Sequence, residues 1–294
     1  MTKRLIKDLI SSVKSNRISK DFWRIAPEEL ELAKSTLECA KRDFDASNLL
    51  WAHGDKPNAI YHLQQGVEKL AKAQGKHGLY QNSRDFFRIV GHESPTVYLT
   101  TLTKKVPRQL LLEFKKYEPR LDITPIDELQ NLIKNLKKKD GVARIEIASL
   151  GSYDISRLLD VADIVMALDN KKMIYKALEE DLGKNWKNII KTWTEELIEE
   201  ERGSKVKLSE KDVIEVIERD NTAIAAMFQL GMPLYILALV TFPHEAFTRY
   251  PDTKKLGPKD YVNPLGIVVV YERLLKLGYN LFEKLQIMIK YLDS

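Results

Sequence analysis

Three groups of side chains in this sequence combine residue types that could do chemistry. The first is a row at intervals of three and four, His62, Gln65, Glu68, Lys69 and Lys72. On a helix that spacing sets them along one side. Composition alone favours a plainer explanation, a solvated helix face with a Glu68–Lys72 pair. The second group is Gly91-His92-Glu93, which reads equally well as a capping turn in which His92 fills a hydrogen bond. The third is His244 with Arg249 and Tyr250. An arginine can stabilise charge developing on a phosphate, and a histidine can act as general base. Arg249 with His244 or His92 would therefore be the combination for metal-free phosphate chemistry. Five residues along a helix is a rotation of about 140°, so His244 and Arg249 share a face only if Pro243 distorts the helix. The structural alternative for Arg249 is a cation closing the C-terminal end of an apolar helix.

Other chemistries lack their residues. No GxxxxGK[ST] and no GxGxxG is present, so neither phosphate loop can be argued. His244-Glu245 opens like HExxH, but Thr248 stands where the second histidine would be. No GxSxG elbow occurs. The single cysteine, Cys39, rules out an intrachain disulfide and a cysteine-based zinc site. It lies near the apolar face of a strong helix and reads as buried, so it is not a nucleophile candidate. No metal and no cofactor is expected.

The elements that must position these residues are helical. The chain has 294 residues, 44% hydrophobic and 30% charged, with a formal net charge of +5. Lys, Glu and Leu dominate, a composition that favours helices over a turn-rich β fold. The mild positive charge permits a basic face without demonstrating one. Residues 1–25 read as a basic amphipathic lead-in without the apolar core of a signal peptide, and the lone thiol fits a reducing cytoplasm. A first helix starts at Pro27, with Glu28 and Glu29 in its first turn. Leu30, Ala33, Leu37, Ala40, Phe44 and Trp51 form its apolar face, and it stops near His53-Gly54-Asp55. A second helix opens at Lys56-Pro57-Asn58 and carries Ile60, Leu63, Val67, Leu70 and Ala71 as its stripe. The short connection makes the two antiparallel neighbours.

From Thr96 to Asp220 the sequence is more charged, with short helices expected around 96–104, 107–117, 125–138, 153–168, 171–180, 183–200 and 209–219. Arg144-Ile145-Glu146-Ile147 alternates like a strand but is too short and isolated to build a sheet. Ala223 to Pro243 is 21 residues without a charge, long enough to span a bilayer. A central helix buried on all sides explains it better, since Gln229, Gly231 and Pro233 weaken a span and no second span exists to pack with it. The last helix is expected from about Leu265 to Leu292.

The run from Glu31 to Ala73 resembles the first two helices of HEPN domains, above all Gly54-Asp55-Lys56-Pro57 followed by Ala59-Ile60-Tyr61-His62-Leu63-Gln64-Gln65 and Glu68-Lys69. Gly91-His92 resembles the Gly-His after that hairpin. Thr248-Arg249-Tyr250-Pro251-Asp252, followed by a long helix, resembles the passage from the third helix to the fourth. The resemblance implies an all-α, HEPN-like antiparallel four-helix bundle built from 26–95 and 221–294, with 96–220 as a helical insertion. It also implies nucleotide or RNA binding, a homodimer, and a nucleotidyltransferase partner in a toxin–antitoxin or defence setting. The family's ribonuclease motif, Arg then four to six residues then His, is absent, because Arg88 and Arg84 are spaced wrongly from His92. On the resemblance, Arg249 would contact phosphate and Tyr250 would stack, with Lys69, Gln65 and His92 lining the groove. A helical scaffold protein and an atypical metal-independent RNase remain as alternatives.

Overall fold

A computed structural model describes residues 27–78, 118–128, 142–169, 229–250 and 256–293, with single positions at 115 and between 179 and 195. The lead-in 1–25, the loop of His92 and most of the helices expected between 96 and 220 lie outside the described residues. What is described is all-α, with no strand among the described residues.

Helix α1, Pro27–Ala52, begins and ends as its sequence requires. Pro27 occupies the first turn with Glu28 and Glu29, and the buried positions are Leu30, Ala33, Leu37, Ala40, Phe44 and Ser47. Gly54, at φ +80°, closes it. Its N–H reaches Trp51 O at 3.0 Å, and the Asp55 N–H reaches Leu50 O at 3.0 Å, the paired bonds of a glycine-terminated helix end. Asp55 then caps α2, Lys56–Gly78, its carboxylate accepting from the Asn58 side chain at 2.8 Å. The chain reverses within three residues, and α1 and α2 pack along their length.

Three helices meet around Phe44, which is fully buried. A Cβ on Gly66 of α2 would lie 2.6 Å from the Phe44 ring, and a Cβ on Gly278 would lie 3.0 Å from it. Gly278 belongs to the terminal helix, which is thereby brought against α1 and α2. The sequence predicts that helix as one piece from about Leu265. It instead forms a short turn, Gly266–Val269, and then a long helix, Tyr271–Asp293, with Val270 between them at φ −99°, ψ 7°. The break falls in Ile267-Val268-Val269-Val270, a β-branched run that holds a helix weakly.

The uncharged stretch forms a helix over 229–241, buried almost throughout from Leu230 to Phe242. The candidate span Gln229–Phe247 has 83% of its apolar window buried, which fits the core helix of a soluble protein. Leu230 and Leu234 close with Leu70 and Gln74 of α2, and with Leu281 and Leu285 of the terminal helix, around a gap too small for a water.

Further helices, in chain order, are α3, Val142–Ala148; α4, Ser152–Met166; α5, 229–241; α6, His244–Phe247; α7, Gly266–Val269; and α8, Tyr271–Asp293, with helical residues also at 124–128 and a 3-10 turn at Pro258–Asp260. Helix α3 occupies the Arg144–Ile147 stretch that alternates like a strand, with Ala143, Ile147 and Ala148 buried. Helix α4 buries Ile155, Leu158, Leu159, Val161, Ala162 and Val165.

The sequence division at 96–220 is not the division the contacts draw. Ile25–Ala167 and Gln229–Ser294 cluster into one compact unit. The reason is visible at Gly266 of α7, where a Cβ would fall 2.1 Å from Leu150 O. The α4 entrance is seated on α7 with no room for a side chain. Arg273 of α8 then bonds both Asp160 and Asp163 of α4 at 2.9 Å. Helices α3 and α4 are thus part of the body formed by the two ends of the chain.

Candidate functional site

Helix α1 carries Asp43 on the flank of its buried row, facing α2. A carboxylate only accepts hydrogen bonds. Asp43 Oδ1 accepts from His62 Nδ1 at 3.1 Å, which places a proton on that ring nitrogen, and Oδ2 accepts from Lys69 Nζ. The Asp43 side chain is 13% exposed, against 34% for His62 and 32% for Lys69. The α2 row is therefore more than a solvated face. Its inner half is tied to α1 through one shared carboxylate.

The rest of the row is tied along α2 itself. Lys72 Nζ donates to Glu68 Oε1 at 2.6 Å, the pair that composition favours, yet Glu68 is buried. Gln64 donates to Glu68 at 3.4 Å, and Gln65 donates to Gln64 at 2.6 Å.

Helix α6 also packs on α2, and the turn after it brings up Arg249 and Tyr250. The Arg249 guanidinium lies 5.3 Å from the Tyr61 ring centre and 5.2 Å from that of Tyr250, within range of a cation–π contact with each. Arg249 is exposed, and Tyr250 is 60% exposed. The Tyr61 ring meets His62 edge-on at 5.4 Å. A continuous path of contacts runs Tyr250, Arg249, Tyr61, His62, Asp43, Lys69. Arg249 has no carboxylate partner among the described residues.

His244 takes a different position. It is 1% exposed, and its Nδ1 shares a hydrogen bond of 2.8 Å with the Tyr261 hydroxyl. Burial lowers its pKa from 6.5 to about 3 and pushes that of Tyr261 upward, so both are neutral at ordinary pH. A neutral ring closed off from solvent is an anchor for the turn that bears Arg249, not a base within reach of a substrate. Thr248 adds to the anchor, its hydroxyl donating to His244 O at 2.8 Å. His92 lies outside the described residues, and Cys39 is half-buried.

Of the residues singled out in the sequence, the structure thus draws Arg249, Tyr250 and Lys69 onto one surface. It keeps Gln65 within the α2 network and sends His244 into the core. Asp43 and Tyr61, which link the others, were missed. The available signals were a carboxylate on the flank of an apolar row, and an aromatic residue one position before His62.

A second charged region lies by α4. An open cleft of about 450 Å³ is lined by Arg120, Asp122, Arg157, Asp160, Asp163 and apolar neighbours. Every guanidinium here is matched. Arg120 forks onto Glu118 at 2.7 and 2.9 Å. Arg157 meets Glu128 at 3.2 Å and Asp122 at 3.5 Å, and Arg273 holds Asp160 and Asp163. No group of three His, Cys, Asp or Glu among the described residues is placed to hold a metal ion.

Comparison with protein-family models, with curated proteins and with solved structures finds no match to this chain. The functional reading accordingly rests on the site itself.

Proposed function

We propose that α1, α2, α5 and α8 form a HEPN-like four-helix bundle that binds a nucleotide or RNA on the surface shared by Arg249, Tyr250, Tyr61, His62 and Lys69. The observation that carries this reading is Arg249. It is an exposed guanidinium set against two tyrosine rings, with no carboxylate partner among the described residues. A guanidinium presents several donors in a fixed fork that suits phosphate, and tyrosine faces suit bases. The resemblance of Glu31–Ala73 and Thr248–Asp252 to HEPN segments points the same way. With it go a homodimer, a nucleotidyltransferase partner and a role in a toxin–antitoxin or defence system.

The test is a binding screen of the purified chain against nucleotides and mixed RNA at low and moderate salt. Saturable binding that weakens with salt, and weakens again in Arg249→Ala with folding intact, supports the reading. Absence of binding at low salt rejects it and leaves the helical scaffold as the better account.

A further inference from the structure

The surface around Arg249 also constrains the form of its ligand, an argument that rests on the reading just given. Three cations stand along it, and two are already neutralised. Lys69 is held by Asp43, and Lys72 by Glu68. Of these three, Arg249 alone has no carboxylate partner among the described residues. Proteins that hold duplexes do so by neutralising many phosphates along the backbone. A single open guanidinium offers one such contact. The same surface is well supplied with aromatic area instead, with Tyr250 mostly exposed and Tyr61 beside it. Inside a duplex the faces of the bases are covered by their neighbours, so this area is useful only to an unpaired base. At the edge of Tyr61 stands His62, whose Nδ1 is taken by Asp43. Its Nε2 has no partner among the described residues and is a polar group of suitable size for a base edge or a ribose hydroxyl.

We infer that this site takes one unpaired nucleobase with one adjacent phosphate, the base stacking on Tyr250 and the phosphate on Arg249. That chemistry is common to a free mononucleotide and to the exposed end or loop of a single strand. A duplex lacks it.

The experiment measures binding of the full chain to a fluorescent single-stranded RNA of about eight nucleotides, to the same strand annealed to its complement, and to AMP, across salt. The single strand is expected to bind at least about tenfold more tightly than the duplex. Its salt slope should be shallow, about −0.7, as for one phosphate. Tyr250→Leu should weaken single-strand binding several-fold, while Tyr250→Phe, which keeps the ring, should restore it. Binding of AMP alone would identify a free nucleotide as the source. Binding of the strand but not AMP would identify an unpaired segment, and either result supports the inference. Equal or tighter duplex binding, a slope of several charges, or indifference to Tyr250→Leu would overturn it. If Arg249→Ala still weakened binding in that case, the nucleic-acid reading would stand while the inference fell. Failure of every probe at low salt would remove both.

Discussion

Two arginine-bearing regions of this body differ in what their guanidiniums touch. Beside α4, Arg120, Arg157 and Arg273 each lie against carboxylates, two of them bridging a pair. Beside α2, the Arg249 guanidinium lies against two tyrosine rings and has no carboxylate partner among the described residues. The first region holds an open cleft of about 450 Å³. Yet a ligand anion entering the cleft would have to displace carboxylates already in place, whereas one approaching Arg249 meets an uncompensated charge. On the proposed reading, neither the density of arginines nor the volume of a cleft would mark the binding surface, but an exposed guanidinium without a carboxylate partner would. The α4 pairs are exposed, so each contributes at most about 1 kcal/mol; those of Arg273 join α4 to α8, and those of Arg157 join α4 to residues 122 and 128.

That contrast can be broken or sharpened by substitution. The largest effect is expected from Gly266→Ala, which drives a Cβ into the backbone at Leu150. It should cost about 3 kcal/mol in denaturant unfolding, and a loss under about 1 kcal/mol would mean that α4 is not seated as described. Next is the anchor beneath Arg249. The folded protein keeps His244 neutral down to about pH 3, whereas the unfolded chain takes up that proton near 6.5. The stability this confers is complete above pH 6.5 and is lost as the pH falls toward 3, by at most about 1.4 kcal/mol per unit. Wild type should therefore lose about 2 kcal/mol relative to His244→Gln between pH 6.5 and about pH 5. Parallel pH curves would show that the anchor is not sealed.

Asp43→Asn sharpens the comparison from the other direction. It releases Lys69 and turns one open cation into two. Stability should fall by about 1 kcal/mol, while single-strand affinity rises about threefold and its salt slope steepens by about 0.7. Unchanged affinity would place Lys69 outside the ligand's reach. The smallest effect is expected from Arg273→Ala, a stability loss of about 1 kcal/mol or less with no change in binding.

Much of the hairpin was legible in the sequence, because its signals are local. Pro27 with two glutamates starts α1, Gly54 ends it, and the rows Leu30–Phe44 and Ile60–Ala71 are buried as their spacing requires. Burial of the uncharged stretch could also be read from the residues that interrupt it. The 140° rotation left open whether His244 and Arg249 share a face, and the burial of His244 was not read from the sequence. What could not be read depends on distant partners. Asp43, between Arg42 and Phe44, looks like any surface acid until α2 brings His62 and Lys69 to it. Tyr61 gains meaning only when the turn after α6 lays Arg249 over its ring. The seating of α4 on Gly266 joins positions more than a hundred residues apart, and no periodicity in 96–167 announces it.

The most direct test of the central claim compares two arginines in one assay. Single-stranded RNA binding is measured at low salt for wild type, Arg249→Ala and Arg157→Ala, each checked for folding by its thermal transition. The account predicts that Arg249→Ala loses about tenfold in affinity, about 1.4 kcal/mol, and that Arg157→Ala binds as wild type does. Loss of binding in Arg157→Ala with Arg249→Ala unaffected would contradict it and move the site to the α4 cleft.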